Sequence, residues 1–263
     1  MKKVGLVALM ALLPLAGIAQ EAMTVDQLIA KNIEARGGMA KLKSVQSMRS
    51  TIKMSAGPME IPMVLEAKRP NKFRMDLTFQ GQSMVQAYDG KSGWGINPMS
   101  GYGGKGGAEP MTPDQLIQAE QQSDMDGPLV DYKSKGHSVE YVGKETVEGS
   151  DAYKLKVTLK NSNVQYVFLD SETYLEIKTT QKTKMRDTEV DAETFFGDFK
   201  EVDGLVLAHS IESGAAGIPM RQKMTIEKVE LNPAIDDTRF VMPPKPVEAK
   251  VETPAPTPPA PGK

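Results

Sequence analysis

The chain has 263 residues, with 32 basic and 34 acidic side chains, a formal charge of −2, 17 Met, two His and no Cys. That length suits one large domain or two small ones, and no basic block marks a nucleic-acid surface. Without Cys there is no disulfide, thiol nucleophile, iron–sulfur cluster or Cys-ligated zinc, and His137 and His209 alone make a poor basis for a metal centre or a catalytic triad.

Met1-Lys2-Lys3 is a short positive region followed by an apolar run, Val4 to Ile18, and by small residues at Gly17 and Ala19. This predicts an export signal over 1–19 with cleavage after Ala19, because the run is too short, with Pro14 inside it, to span a bilayer. Export places the product in the periplasm. The folded domain is then expected over 20–242.

Thr24-Val25-Asp26-Gln27 is a capping-box pattern, with Leu28, Ile29 and Ile33 at helical spacing and Gly37-Gly38 as the stop. Alternation then replaces helical spacing. Met48, Ile52 and Met54 share one face, Met59, Ile61, Met63 and Leu65 another, and Lys72 to Gln80 alternates without a break so that Phe73, Met75, Leu77 and Phe79 point one way. Such strands need a dry side and a wet side. Gly57-Pro58, Pro70-Asn71, Gln80-Gly81 and Asp89-Gly90 punctuate them as turns.

Residues 90–107 hold eight glycines, after which Thr112-Pro113-Asp114-Gln115 opens a second helix with Pro at its first position, running to about Ser123. Strands resume near His137, and further candidates lie at 163–170, 173–183, 187–200, 204–213 and 220–231. The absence of strand–helix–strand alternation predicts an antiparallel meander with a helical insertion, a mainly β (α+β) fold. From 243 to 263 there are eight prolines and almost no large apolar side chains, so this segment is expected to be a disordered, partly polyproline-like tail.

Ten of the 17 Met fall between 39 and 125, mostly on the apolar faces of the early strands. Met adapts to ligands of variable shape, although gap-filling in an ordinary core is an equal explanation. The familiar catalytic and metal patterns fail on context. Gly101-Tyr102-Gly103-Gly104-Lys105-Gly106 matches three spaced glycines but is not followed directly by a helix, and Gly90-Lys91-Ser92 has Val85 where a phosphate loop needs glycine. Asp124-Met125-Asp126-Gly127 lacks the remaining ligands of a calcium loop, Glu189, Asp191 and Glu193 read as a solvated strand face, and His209 has no nucleophile or acid around it. No catalytic group, cofactor or metal is expected.

Three segments carry a resemblance. Lys68-Arg69-Pro70-Asn71-Lys72-Phe73, Asp89-Gly90-Lys91-Ser92-Gly93-Trp94-Gly95-Ile96-Asn97-Pro98 and Asp236-Asp237-Thr238-Arg239-Phe240-Val241-Met242-Pro243-Pro244 are similar, in this order, to segments of the periplasmic lipoprotein carrier family LolA and its superfamily of outer-membrane lipoprotein-sorting proteins. The resemblance implies an open antiparallel half-barrel of about eleven strands, lid helices over its concave face, and a dry cavity for the acyl chains of a lipoprotein or other lipid. It further implies that Arg69 bonds to lid-helix carbonyls and latches the empty cavity, and that Phe73 takes part in cargo acceptance. The plain alternatives are a surface arginine and a core phenylalanine. The expected lining is Met54, Met63, Leu65, Met75, Leu77, Phe79 and Trp94.

The resemblance also implies a membrane export complex and an outer-membrane acceptor as partners, and the chain is expected to act as a monomer. It departs from the family in its longer glycine-rich loop at 99–109, its longer strand-rich second half and its tail. The competing readings are an envelope interaction module whose groove and Pro-rich tail bind a protein partner, and a hydrolase with acidic residues in the cleft.

Overall fold

The computed structural model describes residues 23–57, 59–98, 107–185 and 188–244, so the expected export signal, most of the tail and the glycine pattern at 101–106 lie outside the described residues. Helix α1 (Val25–Ala35) starts at the expected capping box: Gln27 N–H donates to the Thr24 hydroxyl, and Thr24 N–H donates to the Gln27 side chain at 2.8 Å. Its end is fixed by Gly37, at φ 113°, where a Cβ would lie 2.2 Å from the Gly204 carbonyl oxygen. Only glycine permits both that conformation and that approach. Helix α2 (Met39–Ser44), which has six residues and no side-chain cap, follows at once and is a helix that the sequence pattern does not announce. Six residues are too few to show a helical period.

Among the described residues, thirteen strands form one antiparallel sheet in which every neighbour but one pair is sequential. They are β1 (Ser47–Ala56), β2 (Met59–Lys68), β3 (Lys72–Phe79), β4 (Gln82–Tyr88), β5 (Gly93–Ile96), β6 (Glu109–Pro110), β7 (Ser138–Val147), β8 (Ser150–Thr158), β9 (Val164–Asp170), β10 (Glu176–Met185), β11 (Thr188–Val202), β12 (Leu205–Ala215) and β13 (Gln222–Leu231). The order runs from β6 through β5, β4, β3, β2 and β1 to β13, then back through β12 to β7. β1 and β13 pair in the middle, while β6 and β7 are the two free edges, so the sheet is an open half-barrel and not a closed one. The expected architecture is therefore present with thirteen strands in place of about eleven. The shortest, β6, has two residues, too few for a period of two to announce it.

Helix α3 (Pro113–Gln122) inserts between β6 and β7 with the expected capping box at Thr112 and Gln115 and Pro at its first turn. It is seated by Gly93, over which Met111 and Leu116 close so tightly that a Cβ would meet the Met111 sulfur at 2.3 Å. Helix α1 packs Leu28 and Ile29 on Leu155, Val157, Val167 and Leu169 of β8 and β9. The helices thus lie over the flanks of the concave face. The convex face is strapped by the C-terminal segment, where Ile235 and Phe240 are buried and a single 3-10 turn, Asp237–Arg239, turns the chain.

Candidate functional site

Register decides which side chains share the concave face, since directly paired residues of antiparallel strands point the same way. Met63 pairs with Leu77 and Leu65 with Met75, while Ile52 pairs with Met63 and Met54 with Ile61. Across the central pair, Met54 lies opposite Met224 and Ile52 opposite Ile226, and Ile211 of β12 lies opposite Met224. One apolar cluster results. Ile52, Ile61, Met63, Leu77 and Ile226 are buried in it, and Met54, Leu65, Met75, Phe79, Met84, Ile211, Met224 and Val229 are half-buried around them. Every member belongs to a strand, and among the described residues no helix side chain joins them. Six expected lining residues, Met54, Met63, Leu65, Met75, Leu77 and Phe79, are brought together here.

Phe73 lies at the end of this floor, buried with Tyr88 under Ala119 and Leu116 of α3, and touching the shared neighbours Leu65 and Met75. Arg69 stands four residues earlier, in the turn between β2 and β3. Its Nε donates to the Val45 carbonyl at 2.7 Å and its Nη2 to the Leu42 carbonyl at 3.0 Å, both at the C-terminal end of α2. A guanidinium suits this task because its fork can bridge several oxygens, and a cation is favoured beside helix C-terminal carbonyls. The remaining prongs grip Asp126 in the loop after α3, Nη1 to Oδ2 at 2.9 Å and Nη2 to Oδ1 at 2.5 Å. Lys43 adds a third hydrogen bond to Asp126 at 2.6 Å and an ion pair to Asp131 at 2.7 Å. Burial alone would raise the Asp126 carboxyl, but the hydrogen bonds from Arg69 and Lys43 outweigh it and hold the group at about 2. The clasp is therefore ionised at neutral pH, and its contribution to stability is lost only as pH falls from the unfolded value, near 4, through about 2.

Residues 62–201 match the family model described as "Predicted periplasmic protein (DUF2092)", which spans more than half of the chain. The chain belongs to that family. Among solved structures, the DUF2092 chain is similar to a DUF1329 family protein from Desulfovibrio piger (12% identity, TM-score 0.58, 82% of this chain and 97% of that one). It is also similar to the LolA superfamily protein NE2245 from Nitrosomonas europaea (12%, 0.54, 84% and 98%). A domain assigned to outer membrane lipoprotein sorting, from Vibrio parahaemolyticus, aligns at 12% identity with a TM-score of 0.52 over 81% of this chain and 97% of that one. At such identity these likenesses establish the fold, which is LolA-like. No curated protein matches the sequence.

One expected lining residue of the DUF2092 chain lies elsewhere. Trp94 pairs with Ala87, and both point to the convex face. There Trp94 is buried against Val85 and Met242, its Nε1–H donates to the Phe240 carbonyl at 2.9 Å, and the Arg74 guanidinium lies 5.5 Å from its ring centre. Phe73 pairs with Tyr88, and Tyr88 with Gly93, so Trp94 falls one place out of phase with the floor. Beside it, buried Glu66 receives Arg49 at 2.9 Å and Arg239 at 2.5 Å.

Asp126 and Lys43 are the residues that sequence reasoning missed. In sequence the Asp124-Met125-Asp126-Gly127 run reads only as an incomplete calcium loop; in the fold its acids are committed to cations, Asp124 to Lys135 at 2.6 Å and Asp126 to Arg69 and Lys43. His209 is buried with Nδ1 3.0 Å from the Leu207 carbonyl, a structural strand histidine. Glu189 and Glu193 pair with Lys182 and Lys178, each at 2.5 Å, on the strand ladder.

Proposed function

We propose that the protein is a non-catalytic periplasmic carrier that holds the acyl chains of a lipoprotein or another lipid against the concave floor of its half-barrel and passes the cargo onward. The observation that carries this reading is the strand-only cluster around Met63, in which eight half-buried apolar side chains, four of them Met54, Met75, Met84 and Met224, line the hollow side of an open sheet. A floor of that kind gains from an apolar filling. Each acyl methylene moved onto it from water contributes about 0.8 kcal/mol, so a long chain binds with no catalytic group at all. Met rather than branched residues lets the floor refit chains of different length and saturation. The family's description as periplasmic and the expected export signal agree with such a place of action.

In this reading Arg69 is the latch. It ties α2 and the loop after α3 to the turn that leads into Phe73, so its release would let the flanking elements part over the floor. A membrane export complex as donor and an outer-membrane acceptor follow from the resemblance to the lipoprotein-sorting superfamily.

The test is native mass spectrometry of the mature protein prepared from a periplasmic extract without detergent. An added mass that fragments to acyl chains or to an acylated peptide is expected. A bare protein mass that stays bare after incubation with fatty acids and lipopeptides would overturn the carrier reading.

A further inference from the structure

A cavity of about 320 Å³ lies on the concave side where the end of α3 approaches the turn between β8 and β9. That volume sits at the small end of ligand pockets, which run from roughly 300 to 1,000 Å³, so it suits a short segment and not a folded partner. Two ion pairs bridge its rim: Lys160 to Glu120 and Lys135 to Asp124, each at 2.6 Å, with Lys135 also donating to the Gly127 carbonyl at 2.8 Å. The charges of the wall are therefore matched to one another.

What the wall leaves unspent is neutral and donating. The Gln121 side-chain nitrogen is buried with no hydrogen-bond partner among the described residues. His137 accepts the Lys160 backbone N–H at Nδ1 at 3.1 Å, so its neutral ring carries the proton on Nε2 as a donor. Burial, then the neighbouring Lys135 charge, push its pKa down and keep it neutral at pH 7. Asn161 accepts the Asn163 N–H through Oδ1 at 3.1 Å, which leaves its NH₂ group to donate. Leu159 and Pro128 supply apolar wall between these groups. Uncharged donors beside internally paired charges favour an uncharged acceptor, because an anion would be desolvated there with no free counter-charge.

The cavity also continues the site already described. Gln121 stands two residues beyond Ala119, which covers Phe73, and Asp124 stands two residues before Asp126, which clasps Arg69. We infer that this cavity receives the backbone carbonyls of the uncharged peptide segment adjoining the acylated residue of a lipoprotein cargo. The inference rests on the carrier reading: acyl chains fill the floor, and the polypeptide leaves it past the end of α3.

The experiment titrates the mature protein with two probes, palmitic acid and a palmitoylated short neutral peptide, and repeats both with Gln121→Met, Gln121→Glu and His137→Phe. Gln121→Met removes a buried amide with no partner, so its melting temperature should equal or exceed that of the natural protein. Each variant should bind the lipopeptide roughly 5- to 20-fold more weakly, as the loss of one or two neutral hydrogen bonds implies, with palmitic acid affinity unchanged. Unchanged lipopeptide affinity in stably folded Gln121→Met and Gln121→Glu, or an equal loss for both probes, would overturn the cavity assignment and leave the carrier reading standing. Failure of the natural protein to bind either probe would overturn both.

Discussion

The Arg69 guanidinium and the Asp126 carboxylate form a two-pronged ion pair, with Nη1 to Oδ2 at 2.9 Å and Nη2 to Oδ1 at 2.5 Å, across 57 residues of sequence. The same guanidinium holds the Leu42 and Val45 carbonyls. One side chain thus joins the β2–β3 turn, the end of α2 and the loop after α3, all bordering the floor under Phe73.

Removing Arg69 leaves the Asp126 carboxylate, whose side chain is only 5% exposed, with Lys43 as its remaining cation. Arg69→Leu should therefore cost about 3–5 kcal/mol of stability, the range for breaking a buried pair from one side. Arg69→Lys should fall between, since an ammonium keeps the charge but cannot hold Asp126 and two carbonyls at once. Hydrogen exchange is the measurement: protection should fall over Met39–Ser44 and the loop around Asp126 while β1 to β4 keep theirs. Uniform loss across the sheet would make Arg69 a general core residue and not a latch.

Glu176, at the start of β10, keeps part of its surface accessible but sits deep among protein atoms on the concave side, opposite Leu169. Burial pushes its carboxyl up to about 7, with the Arg36 charge opposing only in part. A carboxyl raised in the folded state stabilises most below its unfolded pKa of about 4.3, and that contribution is lost as pH rises through about 7. Glu176→Gln should therefore gain roughly 1–3 kcal/mol over the natural protein at pH 8 and almost nothing at pH 3, below the unfolded pKa. Denaturant melts at the two pH values decide it. An equal effect at both would mean that Glu176 is ionised throughout.

The parts that were legible in the sequence are those with a local signature. The two capping boxes at Thr24 and Thr112 fix both helix starts because the hydrogen-bonded pair lies within one turn. The unbroken alternation from Lys72 to Phe79 puts Phe73, Met75, Leu77 and Phe79 on one face, as the register confirms. What escaped depends on distance or phase. Asp126 meets Arg69 only through the fold, and nothing near either residue announces it. The face of Trp94 depends on the length of the turn after Tyr88, in which Asp89 accepts the N–H groups of Lys91 and Ser92 at 2.8 Å each. A register change of one residue there would reverse the face.

That reversal is testable, because Trp94 ties β5 to the C-terminal strap and not to the floor. Trp94→Phe removes the donor to the Phe240 carbonyl and should cost about 1 kcal/mol, or up to about 3 with that buried oxygen unsatisfied. Phe240→Ala, which empties a fully buried ring site, should cost about 3–5 kcal/mol. In both variants, measured under conditions where the protein remains folded, fatty-acid affinity should match the natural protein. A selective loss of affinity in folded Trp94→Phe would place the ring's influence on the ligand side of the sheet.

The floor itself makes a graded prediction. If acyl chains lie along the strand-only cluster, affinity should climb with chain length by about 0.8 kcal/mol, close to fourfold, for each methylene until the floor is covered. Beyond that length the gain should stop, because added carbons return to water. Met75→Gln keeps the shape of a half-buried floor residue but places an amide under the chain, and burying that amide without a partner costs about 1–3 kcal/mol. It should lower the affinity of long chains roughly tenfold or more and leave short ones, which can seat away from it, much less affected. Saturated fatty acids of increasing length, titrated against the natural protein and Met75→Gln, separate the outcomes. A flat length dependence in the natural protein would mean that the chains do not lie on this floor, whatever else the half-barrel holds.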